Sequence, residues 1–458
     1  MGNTPHTSKN NFFESKFDAF NDTKKDGIHV ETIQLYSSPE GGKKGWMVAI
    51  TSFLVNGIIF GTINSFGIIF PELRTVHKDK IEVSARVSFV GSLAFGVTFI
   101  FIPVSGMLMD KLGLRVCTFI GACIAFFGMI MASLVFHKLE LLYLSSLLFG
   151  VGSSMVFVPS MAILPQYFQD QLSMVNSFVS CGNCVFTIMI PHILRSILDT
   201  FQLKGAYYFL CGMTSLLIIP SITFSQILKT KVKKKSCLNA FKSHFNLSLL
   251  KNKIYIAWTI GFCITLLGYL IPYVYLPIYI EKLDLEIHKD YDGAVLITTV
   301  ALASGVGRIL FCKIYNLRFL TSYKMLMTSF LVIGSSLFVM PYTSIFFGYQ
   351  IYVVILLCLL IGLFDGCLIS LLSPIAGNFC SKTEKSQLVG IMVVILAIPA
   401  ILGPPLAGIL YDHQYNYKWT FQLAGIPMLI GTLFLFVLMK WVQLRNKNKM
   451  ANEIQQFE

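Results

Sequence analysis

The stretch Thr298-Thr-Val-Ala-Leu-Ala-Ser-Gly-Val-Gly-Arg308-Ile-Leu-Phe-Cys312 decides how the chain must be read. No charged residue lies between Asp292 and Arg308, so the run has the length and apolarity of a membrane helix with a guanidinium inside it. Arginine does not lose its proton at ordinary pH. Its charge in hydrocarbon costs several kcal/mol unless it meets water or a partner, and such residues mark solute or ion paths by default. A second apolar run, Leu360-Ile-Gly-Leu-Phe-Asp365-Gly-Cys367, carries the opposite charge. Arg308 and Asp365 are expected to face one central cavity. The alternative is that Arg308 reaches back to the nearer membrane surface and Asp365 only pins two helices together.

Composition supports the membrane reading. Of 458 residues, 55% are hydrophobic and 13% charged, where soluble domains carry about 25% charged. Spans are predicted near 46–70, 87–109, 116–136, 141–164, 174–194 and 206–228, then near 254–279, 293–315, 323–341, 348–373, 387–410 and 419–441. The predicted fold class is therefore an all-α membrane protein with twelve transmembrane helices in two six-helix halves, 46–228 and 254–441. Residues 1–45 read as a disordered tail, 229–253 as a basic linker and 442–458 as a polar tail. The linker holds lysines at 229, 231, 233, 234, 235, 242, 251 and 253 and no acid, which marks it as cytoplasmic. An even number of spans then places both termini in the cytoplasm, leaving the sequons at Asn21 and Asn246 unglycosylated. No apolar stretch opens residues 1–45, so the first span is expected to act as its own targeting signal. All four tryptophans, Trp46, Trp258, Trp419 and Trp441, fall at span ends, where indole rings prefer to lie. The net charge of +13 is accounted for by basic loops facing anionic lipid, not by nucleic acid.

Several constellations compete for a functional role. Arg308 and Asp365 lie 15 and 17 residues into spans of the same direction, a difference of about 3 Å along a helix. They can share one depth and pair. A solute carboxylate can then compete for the guanidinium fork, which binds carboxylates bidentately. Gly305, Gly307 and Gly366 beside them allow close approach of a helix or a ligand. Asn64 and Tyr275 occupy matching positions in the two halves and are expected to face each other toward the outer side. Phe60, Phe66, Phe178, Phe186 and Phe364 are candidates for an aromatic lining, and His192 for a proton relay. Cys181-Gly-Asn-Cys184 has redox spacing without the fold that redox chemistry needs. No phosphate loop, metal-ligand helix or nucleophile elbow is present, so no cofactor, metal or enzymatic activity is expected.

Over about residues 39–440 the chain resembles the monocarboxylate transporter family of the major facilitator superfamily, most closely its branch of aromatic amino acid and thyroid hormone carriers. The resemblance rests on Phe89-Val-Gly-Ser-Leu-Ala94, Val175-Asn-Ser-Phe-Val179, Leu267-Gly-Tyr-Leu-Ile-Pro-Tyr-Val274, Ser304-Gly-Val-Gly-Arg308, Gly362-Leu-Phe-Asp365-Gly-Cys367, Pro374-Ile-Ala376 and Gly403-Pro-Pro-Leu-Ala-Gly408. It implies that Arg308 and Asp365 are required for transport. Gly106-Met-Leu-Met-Asp110-Lys111-Leu-Gly113-Leu-Arg115 fits the superfamily's short loop between spans two and three, where Asp110, Lys111 and Arg115 would lock one access state. The proton-coupled lactate carriers have a lysine in span one and an acid one turn before the span-eight arginine, and those positions hold Asn64 and Ser304. Facilitated diffusion is thereby implied. The histidines of thyroid hormone carriers are matched by Ile63 and Tyr275, which points away from iodothyronines. The family's first signature is altered at Glu40-Gly-Gly-Lys-Lys-Gly-Trp46, and its second at Tyr167-Phe168-Gln169-Asp170-Gln171.

The expectation is a plasma-membrane transporter of small organic carboxylates, aromatic amino acids first. Its partners would be substrate, lipid and, as in many members of that family, a single-span ancillary glycoprotein. A proton-linked monocarboxylate carrier, a thyroid hormone carrier and a membrane receptor that transports nothing are the alternatives.

Overall fold

A computed structural model describes residues 41–224, 253–282, 293–315, 322–345, 350–376 and 385–455. The expected disordered tail (but for its last five residues), nearly all of the basic linker and both sequons lie outside them. Long apolar runs become helices because a backbone in hydrocarbon must satisfy its own N–H and C=O groups. The N-terminal set is α1 (Gly42–Asn64), α2 (Phe66–Val76), α3 (Val83–Ile100), α4 (Ile102–Leu112), α5 (Leu114–Val135), α6 (Leu139–Ala162), α7 (Leu172–Ser215) and α8 (Ile219–Thr223). The C-terminal set is α9 (Lys253–Leu266), α10 (Ile271–Lys282), α11 (Gly293–Tyr315), α12 (Ser322–Val339), α13 (Gln350–Ala376), α14 (Lys385–Gln414) and α15 (Tyr417–Gln455).

Among the described residues eleven helical stretches are long and apolar enough to cross a membrane. The longest, Leu172–Thr223, spans 52 residues and contains Gln202 at φ 55°, ψ −166°. That residue breaks the helix, so the stretch is two crossings end to end and twelve crossings result. The sequence-derived limits hold to a few residues in most places. The final helix is the exception, because it runs on through the polar tail to Gln455. The Lys, Gln, Met and Glu there are good helix formers and need no lipid to stay helical.

Several spans are interrupted within their length, span two at Phe101 among them, and two of the interruptions bear on the site. The first span bends at Ser65, whose hydroxyl bonds back to the Gly61 carbonyl at 2.6 Å. The seventh is interrupted at residues 267–270, between α9 and α10. A Cβ on Gly268 would sit 2.1 Å from the Ala424 carbonyl. Only glycine lets the broken turn lie against α15.

Helix α11 shows how the bundle sorts its faces. Leu302, Val306 and Ile309 are exposed on one side, while Ser304 and Arg308, one turn apart, are buried on the other. Arg308 is 4% exposed and does not reach back to a surface. The inner face lies hard against α13. A Cβ on Gly307 would come within 2.2 Å of the Leu363 carbonyl, and one on Gly366 within 2.3 Å of the Ser304 carbonyl. These two glycines serve helix packing.

Candidate functional site

Because α11 and α13 touch backbone to backbone, Ser304, Arg308 and Asp365 are brought into one buried cluster. Asp365 is 3% exposed. Its Oδ2 accepts a hydrogen bond from the Ser304 hydroxyl at 2.7 Å, and its Oδ1 accepts one from the Tyr269 phenol at 2.9 Å. Tyr269 stands in the broken turn of the seventh span. Interrupted helices of this kind build solute sites in many transporters because they free side chains and backbone at mid-membrane.

Arg308 and Asp365 do not form the expected ion pair: no charged nitrogen and oxygen of the two lie within 4.0 Å. Two hydroxyls already occupy the carboxylate. The guanidinium donates instead through Nη1 to the backbone carbonyl of Ser180 on α7. Its Nε is buried and has no acceptor. On the same contact line Cys184 Sγ lies 4.0 Å from the Ser304 hydroxyl. The α11 charge thus reaches across to the N-terminal set of helices while its buried Nε–H stays unspent.

Asn64 and Tyr275 do not face each other as expected. Asn64 donates to Asn183 Oδ1 at 3.1 Å and to the Thr187 hydroxyl at 3.3 Å, which ties α1 to α7. Tyr275 donates to the Pro404 carbonyl at 3.0 Å, which ties α10 to α14, and its ring packs edge-on against Phe70 at 5.2 Å. The two side chains turn to different helices.

Known proteins share this arrangement of helices. The Major Facilitator Superfamily model matches residues 46–348 and 322–455. Monocarboxylate transporter 10 of Danio rerio is 33% identical, with 91% of this chain and 82% of that protein covered. The Mus musculus protein of the same name is 32% identical over 90% and 81%. Among solved structures, the nucleoside transporter NupG covers 87% of this chain and 99% of its own at TM-score 0.69 and 14% identity, and a POT family transporter covers 88% and 98% at TM-score 0.72 and 14% identity. The two structures speak to the fold alone. This chain is a major facilitator superfamily transporter of the monocarboxylate transporter family.

In the transporter, Asp110 and Lys111 are exposed in the last turn of α4. Gly113 follows at φ 84° and turns the chain into α5, where Arg115 Nε donates to the Phe224 carbonyl at 2.9 Å. That loop lies at one end of the bundle, and the loop at residues 77–82 lies at the other. At this second end the transporter closes on itself. Asp412 Oδ2, at the end of α14, accepts from the backbone N–H groups of Ser84 at 2.8 Å and Ala85 at 3.4 Å. It caps α3, whose own N-cap residue, Glu82, makes no side-chain cap. Glu82 instead meets His413 at 3.4 Å, and the Arg74 guanidinium lies 4.8 Å from the centre of the Tyr411 ring. His192, the candidate proton relay, bonds the Thr298 hydroxyl at 2.9 Å.

Tyr269, the Ser180 carbonyl and Asp412 are absent from the sequence-derived site. Gly268 and Pro272 inside an apolar run signal the broken helix that carries Tyr269. Asp412 at the end of a span reads as an ordinary boundary residue. A backbone carbonyl leaves no mark in a sequence. Of the five candidate lining rings, Phe186 packs beside Gly57 and Gly61, Phe178 stacks on Phe53 at 5.1 Å, Phe66 abuts Phe70 and Phe364 abuts Phe311. Phe60 alone joins the run of rings that leads away from Tyr269 through Phe95 and Phe99.

Proposed function

We propose that this transporter carries small organic carboxylates, aromatic amino acids foremost, across the plasma membrane by alternating-access facilitated diffusion. The observation that carries the reading is the buried Arg308 guanidinium with Nε unpartnered. A buried donor without an acceptor costs about 1–3 kcal/mol, more when charged, and an incoming carboxylate removes that cost. Arg308 holds the substrate carboxylate. Asp365, its oxygens held by Ser304 and Tyr269, receives the substrate's amino group. Asn64 and Tyr275 keep the helices around the site in place. Residues 46–228 and 254–441 are the two halves that rock about it, with both termini in the cytoplasm. On that topology the closed end, with Asp412, is the external one, and Asp110, Lys111 and Arg115 lock the cytoplasmic end in the opposite state.

The cycle follows from the contacts. A carboxylate on Arg308 competes with the Ser180 carbonyl, so binding loosens a link between α11 and α7 while creating one through the solute. The positions at which lactate carriers have a lysine and an acid hold Asn64 and Ser304, so no proton is carried, and the protein performs no catalysis.

Radiolabelled uptake in oocytes, with a panel of aromatic amino acids, iodothyronines and lactate, tests the reading. Phenylalanine, tyrosine or tryptophan should enter without cytosolic acidification. Arg308→Ala should abolish that uptake with surface expression unchanged. Normal uptake by this variant, or uptake of lactate with acid, ends the proposal.

A further inference from the structure

Six rings run in sequence from the phenol that holds Asp365. Tyr273 lies 6.2 Å from Tyr269, Tyr269 lies 6.4 Å from Phe95, Phe95 4.7 Å from Phe99, Phe99 5.8 Å from Phe60, and Phe60 5.4 Å from Phe157. All six are partly exposed. Phe70 at 1% and Phe149 at 2% are by comparison sealed. The six keep part of their surface uncovered while Phe60, Phe95, Phe157, Tyr269 and Tyr273 also pack against the core. The first two come from the C-terminal helices, at and just after the broken turn. The other four come from α1, α3 and α6. Within this run, Phe95 with Tyr269, tilted at 44°, is the ring contact that joins the two sets. The hydroxyls sit at the Asp365 end, and beyond Tyr269 the wall is phenylalanine alone.

We infer that this wall recognises the side chain of the substrate, with Phe95 the residue that sets the preference for an aromatic ring over an aliphatic chain. The inference rests on the carboxylate reading of Arg308 and Asp365 and adds what lies beside them. A solute with a charged head on Arg308 and Asp365 must place its tail past Tyr269, because Asp365 and the Tyr269 phenol are in direct contact. There the tail meets Phe95. Ring pairs attract beyond their area burial when their centroids are about 4.5–7 Å apart. A substrate ring inserted between Phe95 and Tyr269 replaces one such contact with two, and an aliphatic chain of similar volume gains neither. The expected discrimination is about three- to tenfold. Phe95 and Tyr269 belong to different sets of helices, so a ring between them touches both at once. Recognition and the approach of the two sets become one event.

The test is competitive uptake of labelled phenylalanine and leucine by cells expressing the full chain, with surface level measured in parallel. Phe95→Leu should lower the phenylalanine-to-leucine ratio of kcat/KM about three- to tenfold, mainly through KM for phenylalanine, and Phe95→Tyr should restore it. Phe99→Leu, measured the same way, should shift the ratio in the same direction by less and covers the case in which the first variant does not reach the surface. An unchanged ratio in surface-expressed variants, with aromatic uptake intact in the wild type, overturns the wall and leaves the substrate reading standing. A wild type that prefers leucine or lactate to every aromatic amino acid overturns both.

Discussion

Arg308 and Asp365 are each costly alone, and their surroundings divide that cost among neutral groups. Asp365 has two hydroxyl donors, and Arg308 has one carbonyl on Nη1 and a buried Nε–H without an acceptor. A direct ion pair would quench both charges and leave little for a solute to win, since desolvation of a buried pair already consumes most of its attraction. Keeping them apart leaves both available. Tyr269 does this on the acid side, and its removal should be felt in two ways. Tyr269→Phe strands Asp365 Oδ1 in a buried place, so thermal unfolding in detergent should show a loss of about 1–3 kcal/mol. The released carboxylate should also turn toward Arg308 and raise KM for carboxylate substrates. An increase in affinity would contradict that role.

Elements, not residues, determine how closely this cluster can be assembled. The backbones of α11 and α13 meet at Gly307 and Gly366, and the proposed site hangs on that approach. Gly366→Ala would place a Cβ 2.3 Å from the Ser304 carbonyl and 2.6 Å from the Arg308 nitrogen, both backbone atoms that cannot rotate away. The helices must separate, at a cost of about 1–3 kcal/mol. Because Ser304 bonds Asp365 across that seam, uptake per surface molecule should fall several-fold as well. A variant with wild-type uptake and melting temperature would show the seam to be slack. Here too lies the reason that the sequence was legible in part. Charge in an apolar run announces Arg308 and Asp365, and rise per residue gives their common depth. Direction around the helix is another matter. Each residue turns the side chain by about 100°, so an error of one residue in a span's start spoils any inference about which neighbour is faced. Asn64 and Tyr275 failed on this point, and so did the direct pairing of Arg308 with Asp365. The twelve spans, by contrast, depend on length and apolarity alone and were readable throughout.

At the scale of the whole molecule the two sets of helices are fastened at one end. The Asp412 cap joins residues 328 apart in sequence, along with Glu82–His413 and Arg74–Tyr411. An anion at a helix N-terminus contributes about 0.3–1 kcal/mol, up to about 2 when partly buried. That is enough to move a two-state equilibrium several-fold. Asp412→Ala should therefore populate the state open at this end. A cysteine replacing Phe70, which is buried there against Tyr275, should react several-fold faster with a membrane-impermeant maleimide in the Asp412→Ala background than in its absence. Equal rates would show that the cap holds nothing shut.

The partner of the Arg308 guanidinium on α7 is a peptide oxygen, not a side chain. Every amino acid brings the same oxygen to position 180. A saturation library at that codon should therefore return mostly active carriers, Ala and Thr among them, while a library at codon 308 returns almost none. The latch between the two sets of helices would be silent to genetics on one side and fatal on the other. Replacing the peptide link itself, by an amide-to-ester exchange that weakens the carbonyl as an acceptor, would uncover it, and faster cycling is the expected sign.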